Sequence, residues 1–215
     1  MSLLSWLRRE APLDDGRWIV LDVEASGLDA AHDRLLAIAA LAVRWSGEGS
    51  PRIDVGDSFE VVLRQDESAV VDKPNILLHG IGVGAQRAGV EPALALAAFS
   101  RWVGQSPLIA FHAPFDETMI RRALKAASLP PLRTPWVDLA PVAEVARPDL
   151  RAKSLDEWLA HFGIEVAIRH QAAADTLATA ELLQQLWPAI RAQRAAPGFR
   201  GLLELAEQRR WLQAT

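Results

Sequence analysis

An apolar run that ends in two acids sets the strongest constraint on this chain. Arg17 to Asp22 (RWIVLD) is bounded by Asp15-Gly16 and Ser26-Gly27 and reads as a buried strand. Asp22 and Glu24 sit at its end, two residues apart. Alternate side chains of a strand share a face, so both carboxylates point the same way. Like charges at the end of a buried strand are unfavourable unless a cation neutralises them. Oxygen-only ligands favour Mg²⁺ or Mn²⁺ over softer metals. The bland reading of the same pair is a solvated strand end, and Asp-x-Glu alone is a common pattern.

The rest of the chain predicts a mixed α/β domain. Leu35 to Trp45 is a second apolar run, and Asp54 to Leu63 is a third with polar residues interleaved. Together they suggest a three-stranded meander. Helical spacing then takes over at Ala93 to Val103, after a Glu91-Pro92 start signal. Leu108 to His112 is a fourth short strand, Phe115 to Ala127 a helix, and Trp136 to Leu139 a fifth strand. Ser154 to Phe162 opens with a capping-box pattern and stops at Gly163. Ala172 to Trp187 is a further helix that Pro188 is expected to end. Early strands and later helices imply a sheet covered by helices. Phe199, Leu202, Leu203 and Ala206 form one stripe over 199–213, which predicts a helix packed back on the domain.

Composition removes several classes of function. The chain of 215 residues has no cysteine, so disulfide frameworks, thiolate metal sites and cysteine nucleophiles are excluded. No apolar run approaches the roughly 20 residues of a membrane span. The first ten residues lack the order of a signal peptide. A cytoplasmic location without membrane attachment is the expectation. The net charge of −4 argues against a protein that coats nucleic acid by electrostatics alone.

Two more acidic positions acquire meaning only in combination. Asp116 follows a short strand and starts a helix, where an N-cap is the ordinary role. His170 stands in a loop before a helix, and Asp175 falls in that helix's first turns, where the dipole favours an acid. In chain order, a strand ends in Asp-x-Glu-x-Ser-Gly-Leu, a second strand leads into Ala-x-Phe-Asp, and Arg-His-x-Ala-x-x-Asp follows.

With these residues in place, Asp22 to Leu28, Ala110 to Asp116 and Arg169 to Asp175 resemble the three motifs of the DEDDh (DnaQ-like) 3′–5′ exonucleases. The likeness is strongest to the exonuclease domain of the DNA polymerase III epsilon subunit. His79-Gly80-Ile81 matches a further landmark of that family, and Ser154-Leu155 through Ile164 matches the approach to the third motif. The likeness covers about Arg17 to Trp187. It implies a ribonuclease H-like fold with a mixed five-stranded sheet flanked by helices. It divides the chain into an N-terminal extension (1–16), an exonuclease domain (17–188) and a C-terminal helical extension (189–215).

The resemblance also implies roles. Asp22, Glu24, Asp116 and Asp175 would hold two Mg²⁺ or Mn²⁺ ions, and His170 would act as general base, a role suited to an imidazole. Two divalent ions would cancel the charge of the four carboxylates, so an acidic chain is compatible with a phosphodiester substrate. Ala25, Ser26, Gly27, Leu28, His79 and Phe115 are the positions expected to meet the terminal nucleotide. Ala25 stands where the family has Thr and keeps the backbone N–H; His112 stands at an asparagine position. Arg121, Arg122 and Lys125 are candidate phosphate contacts or a solvated helix face.

The implied substrate is a nucleic acid with a 3′ end, single-stranded or frayed DNA first, releasing nucleoside 5′-monophosphates. The alternatives are a 3′–5′ exoribonuclease and a catalytically silent nucleic-acid- or polymerase-binding module. The terminal helical segments are where a polymerase partner or a homodimer contact is expected.

Overall fold

The computed structural model describes residues 13–66, 73–193 and 195–213. A five-stranded sheet with order β3-β2-β1-β4-β5 forms its centre. The strands are β1 (Arg17–Ala25), β2 (Leu35–Arg44), β3 (Arg52–Val62), β4 (Leu108–Ala110) and β5 (Trp136–Asp138). The expected meander is there: β1 pairs antiparallel with β2, and β2 with β3. β4 and β5 then add in parallel on the other side of β1. The sheet is therefore mixed, and the carboxyl ends of β1, β4 and β5 point the same way.

Eight helices accompany it among the described residues: α1 (Lys73–His79), α2 (Val83–Ala88), α3 (Pro92–Val103), α4 (Ala113–Ala126), α5 (Leu139–Ala146), α6 (Leu155–Phe162), α7 (Ala172–Ala192) and α8 (Phe199–Gln213). They divide between the two faces by the parity of β1. Trp18 and Val20 share one core cluster with residues of α5, α6, α7 and α8. Ile19, Leu21 and Val23 share the other with residues of α3 and α4. A strand buried on both faces has to be apolar at both parities, which is why Trp18 to Leu21 reads as an unbroken run. Full burial of each such large side chain contributes roughly 1.5–3 kcal/mol.

Local signals behave as their chemistry requires. Glu91 caps α3 by accepting the Leu94 N–H at 2.9 Å, with Pro92 in the first turn. Ser154 and Glu157 close a reciprocal capping box on α6, and Gly163 ends it in the left-handed conformation at φ 65°. Phe199, Leu202 and Leu205 of α8 are wholly buried, with Leu203 and Ala206 packed against the same cluster, so α8 lies on the domain.

Several boundaries differ from expectation. Pro188 does not end α7, which continues to Ala192. An interior proline costs ~3 kcal/mol by removing one N–H bond and crowding the preceding turn. Packing offsets that cost here: Trp187 and Ile190 are buried on either side, and the Trp187 indole donates to the Gly49 carbonyl at 2.7 Å. Gln184 donates to the Pro51 carbonyl at 2.7 Å, tying the preceding turn to the same loop. The fifth strand stops at Asp138, one residue early, because Asp138 accepts the Ala140 N–H at 3.1 Å and starts α5. Helices α1, α2 and α5 are too short to announce themselves by periodicity.

Candidate active site

The carboxyl ends of the parallel strands converge on one region, the edge where open α/β sheets bind ligands. Asp22 and Glu24 have the parity of Trp18 and Val20, so they face the α7 side of the sheet. A register irregularity between Glu24 and Ala25, where Leu36 of β2 is left over, marks the end of regular pairing. β4 lies beside β1, with Val20 opposite Ile109. The chain leaves β4, turns at His112 in the left-handed conformation (φ 63°), and starts α4 with Pro114 in its first turn. Asp116 is therefore not the N-cap. His112 holds that position, and Asp116 lies one turn in, buried beneath the sheet edge.

The three acids form one electrostatic unit. Burial, then Asp116, then Glu24 push the Asp22 carboxyl well above the usual carboxylate range, against the opposing charge of Arg169. Burial raises Asp116 likewise, with Asp138 and Glu24 adding to it and the backbone N–H groups of Asp116 and Val23 opposing. Burial lifts Glu24 to about 7, moderated by the Ala172 N–H and by Arg169. Clustered buried carboxylates of this kind are unfavourable as anions and call for a cation.

Asp175 completes the set from α7. It is buried in the first turn, and Thr176 beside it anchors the helix by donating to the Ala39 carbonyl of β2 at 3.1 Å. Asp175 accepts the His170 backbone N–H at 3.2 Å through Oδ2, and Arg169 pairs with its Oδ1. His170 is exposed at the rim, in a left-handed conformation at φ 61°. Among the described residues, no three His, Asp or Glu side chains close at ready ligand spacing. Asp22, Glu24 and Asp116 are brought together, whereas Asp175 is turned to Arg169. All four donors are nonetheless hard carboxylate oxygens in a charge-crowded, largely buried setting, which is the chemistry a divalent cation fits.

The loop after β1 is built around Asp33. Its carboxylate accepts from Ser26 Oγ at 2.8 Å and from the Asp29 N–H at 2.8 Å. Ser26 Oγ in turn accepts the Arg34 N–H at 2.9 Å, so that hydroxyl is engaged inside the loop. A Cβ at Gly27 would lie 2.4 Å from Asp33 Oδ2, which explains the glycine. Leu28 is 92% exposed at the tip. Ala25 is buried, and its carbonyl accepts from Asn75 of α1 at 3.0 Å. That bond brings α1 against the site together with its last residue, His79. His79 is buried, and burial depresses its pKa. Its Nδ1 accepts the Ile81 N–H at 3.0 Å, so the neutral ring carries its proton on Nε2. Phe115 is half-buried against the α3–α4 core.

Three residues had no assigned role in the sequence reading. Asp138, at the end of β5, accepts from the His112 N–H at 2.9 Å and so fixes the turn that delivers Asp116. The signal was available, since Asp138 follows a short apolar run as Asp22 does. Asp33 stands in no pattern, and Arg169 is legible only as the first residue of the third motif. Arg122, a candidate phosphate contact, is half-buried instead, donating to the Ala30 and Asp33 carbonyls at 2.6 and 2.9 Å. It clamps α4 to the Leu28 loop, while Arg121 and Lys125 remain exposed.

Comparison with known proteins gives the family and the fold. The model of a family described as exonuclease matches residues 19–183. The PolC-type DNA polymerase III of Oceanobacillus iheyensis is 28% identical over 174 residues, covering 81% of this chain and 12% of that protein. The Bacillus subtilis protein of the same type is 26% identical over 175 residues, with coverage of 81% and 12%. The chain thus spans a small part of these relatives. Among solved structures, E. coli exonuclease I in complex with a dT13 oligonucleotide superposes with TM-score 0.71 at 19% identity, over 83% of this chain and 42% of that one. Cell-death related nuclease 4 (CRN-4) gives 0.67 at 13% identity, over 80% and 64%. These two likenesses are of the fold, a ribonuclease H-like sheet flanked by helices.

Proposed function

The chain belongs to the exonuclease family, and from that premise we propose that it is a metal-dependent 3′–5′ exonuclease. One observation carries the reading. Asp22, Glu24 and Asp116 crowd at the carboxyl ends of β1 and β4, each with its carboxyl held above the ordinary range, opposite the turn bearing Asp175 and His170. Acids crowded this way are favoured as anions when a cation sits among them.

In this reading Asp22, Glu24, Asp116 and Asp175 hold two Mg²⁺ or Mn²⁺ ions. When bound, such ions supply charge that activates water and stabilises the leaving oxygen. His170, exposed at the rim, accepts the proton of the attacking water. Leu28 at the loop tip and Phe115 grip the terminal base, and Ala25, Ser26 and Gly27 line the place of the sugar, with His79 behind them. The products are nucleoside 5′-monophosphates. DNA is the favoured substrate, since solved relatives with this fold are exonuclease I bound to dT13 and dA16, and one such complex with single-stranded DNA holds zinc. The PolC-type DNA polymerase III relatives support work beside a DNA polymerase.

The test is degradation of matched 5′-labelled DNA and RNA oligonucleotides with Mn²⁺, comparing wild type with Asp22→Asn. Stepwise shortening of the DNA that the variant abolishes is expected. No shortening by the metal-loaded wild type refutes the proposal, and preferential shortening of RNA refutes the DNA assignment.

A further inference from the structure

The loop that carries His170 is tied down at the residue before it. Arg169 donates through Nη1 to Asp175 Oδ1 and through Nε to Asp156 Oδ1. Asp156 lies in the first turn of α6 and Asp175 in the first turn of α7. One guanidinium therefore staples the 164–171 segment between two helix starts. Arg169 is mostly buried, and its Asp156 partner is exposed. A fork with its donors spread over two carboxylates fixes position as well as charge.

The same cation reaches the rest of the cluster. Its charge favours the ionised forms of Asp22 and Glu24, and among the described residues it is the cation that acts on both acids. Arg169 is thus the protein's own counter-ion for the acids at the end of β1. It also occupies Asp175, whose Oδ1 is turned to the guanidinium.

We propose that Arg169 is a built-in competitor of divalent cations for Asp175, so that metal loading displaces its Nη1 and loosens the His170 loop from α7. This rests on the metal reading of the proposed function. A guanidinium and a divalent ion cannot both sit on one side of the same carboxylate without strong repulsion. When Nη1 leaves, Nε keeps its bond to Asp156, and the hydrogen bond left between the loop and Asp175 is the one from the His170 N–H to Oδ2. The exchange makes the residue next to the general base a sensor of metal occupancy.

Isothermal titration with Mn²⁺ tests this on wild type, Arg169→Gln, Arg169→Lys and Asp22→Asn. Removing the competing charge in Arg169→Gln is expected to tighten Mn²⁺ binding by roughly tenfold or more. Arg169→Lys, which keeps the charge, is expected to stay near wild type, and Asp22→Asn to lose binding. A second readout needs no variant: the Arg169 Nε–H resonance of the wild-type protein is followed during Mg²⁺ titration and is expected to shift to saturation. Equal or weaker binding by Arg169→Gln, or an Arg169 resonance that does not move while Mg²⁺ is shown by calorimetry to bind, overturns the competitor role alone. Absence of binding by every form, wild type included, overturns the metal reading of the function and this role with it.

Discussion

Replacing Glu24 by glutamine should stabilise the protein at alkaline pH, although it removes a residue assigned to the active site. Burial raises the Glu24 carboxyl from 4.5 to about 7. An acid whose pKa is higher in the folded than in the unfolded state disfavours folding once it ionises. The cost is absent below the unfolded value, grows between 4.5 and about 7, and is complete above that. Its ceiling is about 3 kcal/mol, from 1.36 kcal/mol per tenfold change in proton affinity. Glutamine keeps the shape and can still accept the Ala172 N–H that the carboxylate meets. For a chain of this length ~1 kcal/mol moves Tm by roughly 2–4 °C, so a rise of up to ~10 °C is expected near pH ~8 and almost none near pH ~4. Differential scanning fluorimetry in the presence of a chelator measures it. Saturating Mn²⁺ should then reverse the order, because binding to the native state stabilises wild type more. The same Tm difference at both pH values, or no difference at the higher one, would show that Glu24 carries no charge strain.

Three further substitutions probe the parts around the carboxylates. Gly27→Ala places a Cβ 2.4 Å from Asp33 Oδ2, so the carboxylate that holds Ser26 and the Asp29 N–H must shift; KM should rise severalfold while kcat changes little, as steady-state kinetics on a short oligonucleotide would register. His170→Ala should lower kcat by roughly 10²–10⁴ with little change in Tm, since its side chain is exposed, and single-turnover rates separate that loss from weaker binding. Trp187→Ala removes a buried ring packed on Trp18 and Trp45, with centroids at 5.6 and 6.2 Å, together with its bond to Gly49. It should cost ~3–5 kcal/mol by denaturant unfolding.

Much of this was legible in the residues, for reasons that differ from element to element. β1 and β2 are buried on both faces, so their apolar runs are continuous and bounded by turn residues. The capping box of α6 and the Glu91-Pro92 start of α3 are local chemistry and need no tertiary context. Pro188 misled because a local rule met a global one: the indole of Trp187 and the burial of Ile190 hold the helix beyond the point where proline alone would break it. Asp138 was missed because its partners, the His112 and Ala140 N–H groups, come from a left-handed turn 26 residues upstream and from a helix start. Arg122 is exposed by its place on the helix pattern but is drawn to two carbonyls of the Leu28 loop, some 90 residues away in sequence, which no spacing rule reveals. The order of the acids along the chain was legible; the guanidinium seated among them belongs to the folded geometry alone.

In the proposed function these four carboxylates and His170 release single nucleotides from a 3′ end. Mass analysis of the products from a DNA oligonucleotide, with Mn²⁺ and in ¹⁸O-labelled water, tests it most directly. Nucleoside 5′-monophosphates bearing the label on phosphate, produced in order from the 3′ terminus and lost in Asp22→Asn, are the result expected. Nucleoside 3′-monophosphates, internal fragments, or products that persist in Asp22→Asn would contradict it.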